Sequence, residues 1–319
     1  MHYRSLKLWL VLLMLSTFTV TIDAAEKIRI SIGNLSGQFM TFPLAYKRGF
    51  LKEEGIDAEI IRVTGGAASA AMSSGDLDYG TGMAIGGAMS GGFPVKVVAC
   101  FVPTPVFALV ARPEIKSVQD LKGKTVGISN FGGLSIFGAR VIANHFGLDP
   151  DKDLKFVAVG AVEGRFIRLT QGLLDATMLA PPLDTEAKKK GFNILARAED
   201  ILTFPETGLV AGVKKIQEKP DEIKRVIKAG IRANRYIRGN RDGTIRFIME
   251  WLKVNKEVAT TTYDGVAKVY NEDPSVCEKG LRVMIDERKQ ALKITRDVPL
   301  NEVADLLLIR EALREMASK

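Results

Sequence analysis

One phrase, used twice at a fixed interval, limits what this chain can fold into more than any other feature. "IGNLSG" occupies Ile32 to Gly37 and "ISNFGG" occupies Ile128 to Gly133, sharing the skeleton Ile-x-Asn-x-x-Gly. Asn34 and Asn130 stand 96 positions apart, as do Gly37 and Gly133. Gly75 and Gly172, each opening the tetrapeptide Gly-x-Leu-Asp, stand 97 apart. After the first phrase come a helix-like stretch, "FPLAYKRGFLKEEGID", and the β-branched run "AEIIRV"; after the second come "FGARVIANHFGLDPDKD" and "FVAV". Both halves read strand, loop, helix, strand, loop, helix, strand. The shared order and spacing predict a duplicated βαβ unit.

Strands alternating with helices of this length imply a mostly parallel sheet covered on both faces. Two copies imply two sheets, hence two lobes. In open α/β sheets ligands bind in the crevice at the carboxyl ends of the strands, and the echoed phrase falls at that end in both halves. Each copy turns a strand into a helix whose first N–H groups lack intrahelical partners and carry partial positive charge, so ligand oxygens can be held there. The expectation is a small molecule gripped between facing lobes, one loop from each. The competing reading makes these glycines helix-entry turns needed only for packing. At Gly133 a β-branched side chain is expected to resist the backbone angles that glycine permits. Neither phrase is GxGxxG or GxxxxGK[ST], so nucleotide binding has no support.

The first segment reads differently. Arg4 and Lys7 precede "LWLVLLMLSTFTV" (Leu8 to Val20), and small residues follow in "IDAA" (Ile22 to Ala25). The run is shorter than the roughly 20 apolar residues that span a bilayer, and the order of basic, apolar and small residues is that of a cleaved export signal over residues 1–25. No cysteine stands at the cleavage point, so a soluble periplasmic protein, not a lipoprotein, is expected. The only cysteines are Cys100 and Cys277. Two do not make a disulfide framework, and Cys100, closing the apolar run "KVVAC", is expected to be a buried free thiol. The formal net charge of +8 is concentrated in C-terminal stretches such as "EIKRVIKAGIRANRYIRGNR" (Glu222 to Arg241). This reads as a solvated helix face; nucleic acid is not expected as a partner.

Five runs carry a family resemblance: "FPLAYKRGFLKEEGIDAEII", "SAAMSSGDLDYGTG", "GGFPVKVVA", "SVQDLKGKTVGIS" and "QGLLDATMLAPP". Over roughly Ile28 to Val213 the chain resembles the periplasmic solute-binding proteins of the SsuA/THI5-like (NMT1) group, which serve ABC importers. The resemblance implies the type II periplasmic-binding-protein fold, with two α/β lobes joined by two crossing strands and a ligand cleft between them. "VFALVAR" (Val106 to Arg112) would cross outward and "GLVAGV" (Gly208 to Val213) back. Residues 26–105 would begin lobe one, 106–208 would form lobe two, and 209–319 would return to lobe one as C-terminal helices. By position, the family's cleft loops fall on Ser36, Gly37, Gln38 and Phe39; on Gly65 and Gly66; on Met83 and Ala84; on Asn130, Gly132, Gly133 and Leu134; and on Pro181 and Pro182. Gln38 and Asn130 offer polar groups, while Phe39, Met83 and Leu134 offer apolar walls. The implied partners are a small-molecule ligand and the membrane permease of an ABC importer, with the protein acting as a monomer and using no cofactor. Family ligands include sulfonates, nitrate-type anions and pyrimidine vitamin precursors, so the expected ligand is small and organic: sulfonate- or carboxylate-like, or pyrimidine-type. Arg165 could meet an anion, but its place inside a helix points rather to a surface or interlobe salt bridge.

Catalysis is not expected. After signal removal only His145 remains, at a helix end where a cation complements the dipole, with no second His or Cys nearby to complete a metal site. The family's pyrimidine synthases carry a cysteine-rich iron-binding run that is missing here. Asp76 and Asp78 in "GDLDYG" read as turn chemistry rather than an acid/base pair. Two alternatives remain on the same fold: a periplasmic ligand sensor for a membrane receptor, and a small-molecule enzyme.

Overall fold

In the computed structural model, which describes residues 26–63, 66–83, 85–201 and 203–318, the repeat folds as two sheets. The export signal lies outside the described residues, as do Gly65 and Ala84. The first sheet is laid down by β1 (Glu26–Ile32), α1 (Thr41–Lys47), α2 (Phe50–Glu53), β2 (Ile56–Arg62), α3 (Gly66–Ser74), β3 (Tyr79–Gly82), α4 (Ile85–Met89) and β4 (Val95–Val102). The chain then crosses to β5 (Ala108–Ala111), β6 (Thr125–Ile128), α5 (Leu134–His145), β7 (Lys155–Ala158), α6 (Val162–Thr170), β8 (Ala176–Leu179), α7 (Leu183–Lys189) and β9 (Asn193–Arg197). It returns through β10 (Thr207–Gly212) into α8 (Val213–Glu218), α9 (Pro220–Gly239), α10 (Arg241–Leu252), α11 (Lys256–Val266), α12 (Pro274–Ala291), α13 (Leu300–Val303) and α14 (Leu307–Ala317).

The strand orders are β2-β1-β3-β10-β4 and β7-β6-β8-β5-β9, one pattern used twice. In each sheet the strand arriving from the other lobe is inserted antiparallel: β10 between β3 and β4, β5 between β8 and β9. "VFALVAR" and "GLVAGV" are therefore mostly these inserted strands. The connections between the sheets run through 103–107 and 198–206. Alternation drives the first strand: Ile28, Ile30 and Ile32 are buried while Lys27 and Arg29 are exposed. β4 is buried along nearly its whole length, as its unbroken apolar run predicts for a strand covered on both faces.

The duplication extends to individual hydrogen bonds. Asp78 Oδ2 accepts from Arg29 N at 2.8 Å in the first copy, and Asp175 Oδ2 from Thr125 N at 2.8 Å in the second. Thr81 Oγ1 donates to the Ser31 carbonyl and Thr177 Oγ1 to the Gly127 carbonyl, each at 2.8 Å. Gly75 and Gly172 both end a helix in the left-handed region, at φ of 84° and 73°. The Gly-x-Leu-Asp phrase thus ends one element and ties the next to the start of its sheet, a structural task in both halves.

The tail is helical and packs on the first lobe, α9 against α1 and α2, and α14 against α9 and β4. The basic residues of α9 are tied to acids of neighbouring elements, among them Arg232 to Glu53 and Arg238 to Glu272. Cys100 is not a free thiol. It is joined to Cys277 near the start of α12, with Cα atoms 5.8 Å apart, because β4 and α12, separated by 177 positions in the chain, pack against each other.

Candidate functional site

A cavity of about 410 Å³ lies between the two sheets, walled by the carboxyl ends of strands from both. Of the residues expected there, Ser36, Gln38, Phe39, Met83, Asn130, Gly132, Gly133 and Leu134 line it. Gly37 and Pro181 meet each other instead. The Gly37 N–H donates to the Pro181 carbonyl at 3.1 Å, joining the first phrase to the loop after β8. Pro182 precedes α7 and does not stand in the wall, and Gly66 begins α3.

The two echoed loops turn differently. In the first, Gly33 leaves room for the Phe39 ring; a Cβ there would stand 3.0 Å from Phe39 Cζ. Phe39 is therefore both core and wall. In the second, Asn130 Oδ1 accepts from Gly132 N at 2.9 Å, a side-chain turn that shapes the loop. Ser135 Oγ accepts from Ser129 N at 2.8 Å, and the two hydroxyls lie 2.8 Å apart. Gly133 has φ −86° and ψ 172°, which any residue can adopt, so the expected backbone restriction is absent. What a side chain would meet is Ser129 Oγ, 2.6 Å from an added Cβ.

Three charged groups in the wall stand out, only one of which drew attention in the sequence. Arg165 makes no salt bridge among the described residues. Its side chain folds back into the second lobe, donating to the Gly160 carbonyl at 2.6 Å and the Met178 carbonyl at 3.1 Å. The residue is 5 % exposed, and desolvation pulls its pKa down to about 10, with Glu163 opposing. It stays cationic at neutral pH. The nearby Glu163 instead pairs with Arg62 of β2, across the lobes, at 2.6 Å.

Glu206 sits on the returning connection, just before β10. Its carboxyl accepts from Val106 N of the outgoing connection at 2.7 Å and from Gln38 Nε2 at 3.0 Å, tying both crossings to the first loop. Burial pushes its pKa up to about 8 against these hydrogen bonds. A lone acid inside "FPETGLV", at the edge of an apolar strand, was the available sequence signal. The third group, Arg288 of α12, donates to the carbonyls of Gly132 at 3.2 Å and Gly133 at 3.0 Å. No local pattern announces that contact.

Orphaned polar atoms gather at this wall. Ser36 Oγ, Gln38 Oε1 and Arg165 Nε are buried without a hydrogen-bond partner. Buried polar atoms are rarely left so, and a wall that holds three has hydrogen-bonding capacity ready for a guest. Apolar groups such as Met72, Phe107 and Met178 complete the lining.

The NMT1/THI5-like family model matches residues 36–243. The chain belongs to the NMT1/THI5-like family. The match runs from the loop after β1 through the second lobe to just past the end of α9, and it agrees with the resemblance read from the five sequence runs. The Bacillus subtilis protein YtlA is 22% identical over 87% of this chain and 87% of its own length. The Saccharomyces cerevisiae 4-amino-5-hydroxymethyl-2-methylpyrimidine phosphate synthase THI5 is 31% identical, over 42% of this chain and 39% of the yeast protein. Among solved structures, the alkanesulfonate-binding protein SsuA from Xanthomonas axonopodis pv. citri, bound to MOPS, superposes with a TM-score of 0.72. It covers 91% of this chain and 99% of its own at 18% identity. The architecture is the two-lobed fold of periplasmic binding proteins.

Proposed function

We propose that this NMT1/THI5-like protein is an extracytoplasmic solute-binding protein that captures a small organic anion between its lobes and delivers it to an ABC importer. Arg165 carries the reading. A buried guanidinium held in the cavity wall with no salt-bridge partner among the described residues is costly, and a bound oxyanion removes that cost. Sulfonates and carboxylates present such oxygens in a geometry that arginine recognises. The apolar groups around it take an organic body, and the cavity volume falls in the range of small-molecule sites. Capture without turnover is supported by the chemistry of the wall: the Ser129 and Ser135 hydroxyls face each other rather than a base, and His145 stands apart from the cavity at the far end of α5. The names of YtlA and SsuA are those of binding proteins. Export to the periplasm, read from residues 1–25, fits this role.

Calorimetric titration of organic sulfonates, carboxylates and uncharged pyrimidines, with MOPS as the first probe, tests the proposal. An anionic hit should lose about 30-fold or more in affinity in Arg165→Met, since removing one partner of a buried charge pair costs about 2–5 kcal/mol. Binding of uncharged compounds only, or unchanged affinity in Arg165→Met, overturns the anion reading. Chemical conversion of a bound compound, followed by chromatography, overturns the capture reading.

A further inference from the structure

The C-terminal tail packs on the first lobe, yet α12 reaches the echoed loop of the second. α12 runs for 18 residues, about 27 Å at 1.5 Å per residue. Near its start Cys277 is bonded to Cys100 of β4, so this end is fixed covalently to the first sheet. One turn on, Gly280 lies so close to the returning connection that an added Cβ would stand 2.5 Å from Pro205 Cδ. Near its end Arg288 is 5 % exposed and hydrogen-bonded to the carbonyls of Gly132 and Gly133, in the second lobe's echoed loop. Its guanidinium lies 5.7 Å from the centre of the Phe137 ring on α5. The preceding residue, Glu287, faces Arg140 of α5 at 3.6 Å. The helix packs on the first lobe, against β4 and α4, and passes the returning connection, while the Glu287 and Arg288 side chains near its end reach the second lobe.

We propose that α12 is a strap across the cleft, and that Arg288 is the positioning residue that latches the second lobe closed. Of the other side-chain ion pairs between the lobes among the described residues, Arg62 to Glu163 and Lys189 to Glu257 are exposed pairs of the kind that contributes about 0–1 kcal/mol, while Glu287 to Arg140 is largely buried and belongs to α12 itself. Arg288 is buried, and its two carbonyl acceptors belong to the loop that walls the cavity, so breaking the contact frees the loop and the lobe together. Leu292, one residue beyond the helix, also lines the cavity, placing the end of the strap at the ligand. The inference rests on reading the cavity as a ligand cleft. Its test uses no ligand, so its failure leaves the anion proposal standing.

The test is the distance between spin labels on the two lobes of the full chain, attached at Lys52→Cys and Lys155→Cys, both exposed positions. Without ligand, the parent should give one short distance. Arg288→Met, which keeps an apolar contact with Phe137 but donates nothing, should move most molecules to longer distances. Arg288→Lys, which keeps the charge but on a shorter side chain without the planar guanidinium whose Nη2 meets both carbonyls, should fall between. If Arg288 only steadies α12, the variants melt earlier and the distances do not change; that result overturns the latch. A parent that is already open without ligand overturns it as well. Should Arg288→Met fail to fold, the Arg288→Lys distribution decides alone: a shift to longer distances supports the latch and an unchanged one ends it.

Discussion

The two echoed loops share a sequence skeleton and a place in the fold, yet one is embedded and the other is held from outside. The first is sealed by the tail. Gly37 lies against α11, where an added Cβ would stand 2.9 Å from Val266 Cγ1, and the Tyr270 hydroxyl donates to the Gly37 carbonyl while accepting from Met40 N. The second loop has no such cover. Phe131 is 64 % exposed, and the loop's outside tie is Arg288. The same strand-to-helix turn is thus covered by the tail in one lobe and largely uncovered in the other. What differs is which parts of the chain were folded over it: the tail packs on the first lobe, and of its helices α12 reaches the second lobe's echoed loop.

The contrast breaks most readily at paired glycines. Gly37→Val should destabilise the ligand-free protein by about 1–3 kcal/mol, because two methyl-bearing side chains of a packed helix must move. Gly133→Val should cost clearly less, since the atom in the way is the hydroxyl of Ser129, the end of a short side chain that can rotate. Urea unfolding of both variants measures this, and equal losses would show that the second loop is as embedded as the first.

Glu206 links the embedded loop to the hinge, and its titration sharpens the picture. Its folded pKa of about 8 lies above the ordinary 4.5, so between those values the native state holds a proton that the unfolded chain has released. Its contribution is therefore fully present below about pH 4.5 and is lost as pH rises toward about 8. Relative to Glu206→Gln, the wild type should lose stability across that window and change little above it. A difference between the two that stays flat from pH 4.5 to 8 would mean that the carboxyl is hydrated and that the crossings are looser than their hydrogen bonds suggest.

The smallest effect is expected at Asn130→Ala. The loss of the Oδ1 bond to Gly132 N should lower ligand-free stability by about 0.5–1.5 kcal/mol, and the loop that Arg288 grips should show faster amide exchange at 130–133. Unchanged exchange there would mean that Arg288 alone sets the loop's shape.

Much of this was legible locally. The alternation of Ile28, Ile30 and Ile32, the left-handed turns at Gly75 and Gly172, and the aspartates that tie β3 and β8 to their sheets follow from side-chain periodicity and turn chemistry. Eight of the expected cleft residues line the cavity because they sit at strand ends, where such sheets always expose loops. Gly37 and Pro181 do not, because at the hinge side the two lobes touch and their backbones bond each other. Arg165 was visible, but the expected surface or interlobe salt bridge is not formed among the described residues, because its side chain turns inward to the Gly160 and Met178 carbonyls while Glu163 pairs with Arg62 on the other lobe.

The sequence by itself determined the repeating unit, the two sheets, the family and the ends of strands where a ligand can enter, because each depends on patterns within a few residues or on one interval repeated. Only the tertiary structure decided which groups meet at long range: Cys100 with Cys277, Glu206 with Val106, Arg288 with Gly132 and Gly133. Those pairs are separated by 177, 100 and about 156 positions, and their contacts form only once whole elements have packed. The physical reason is that burial acts on surfaces: hydrophobic packing brings α12 across β4 and the hinge, and Arg288 comes to rest beside carbonyls that nothing in its own neighbourhood of sequence foretells.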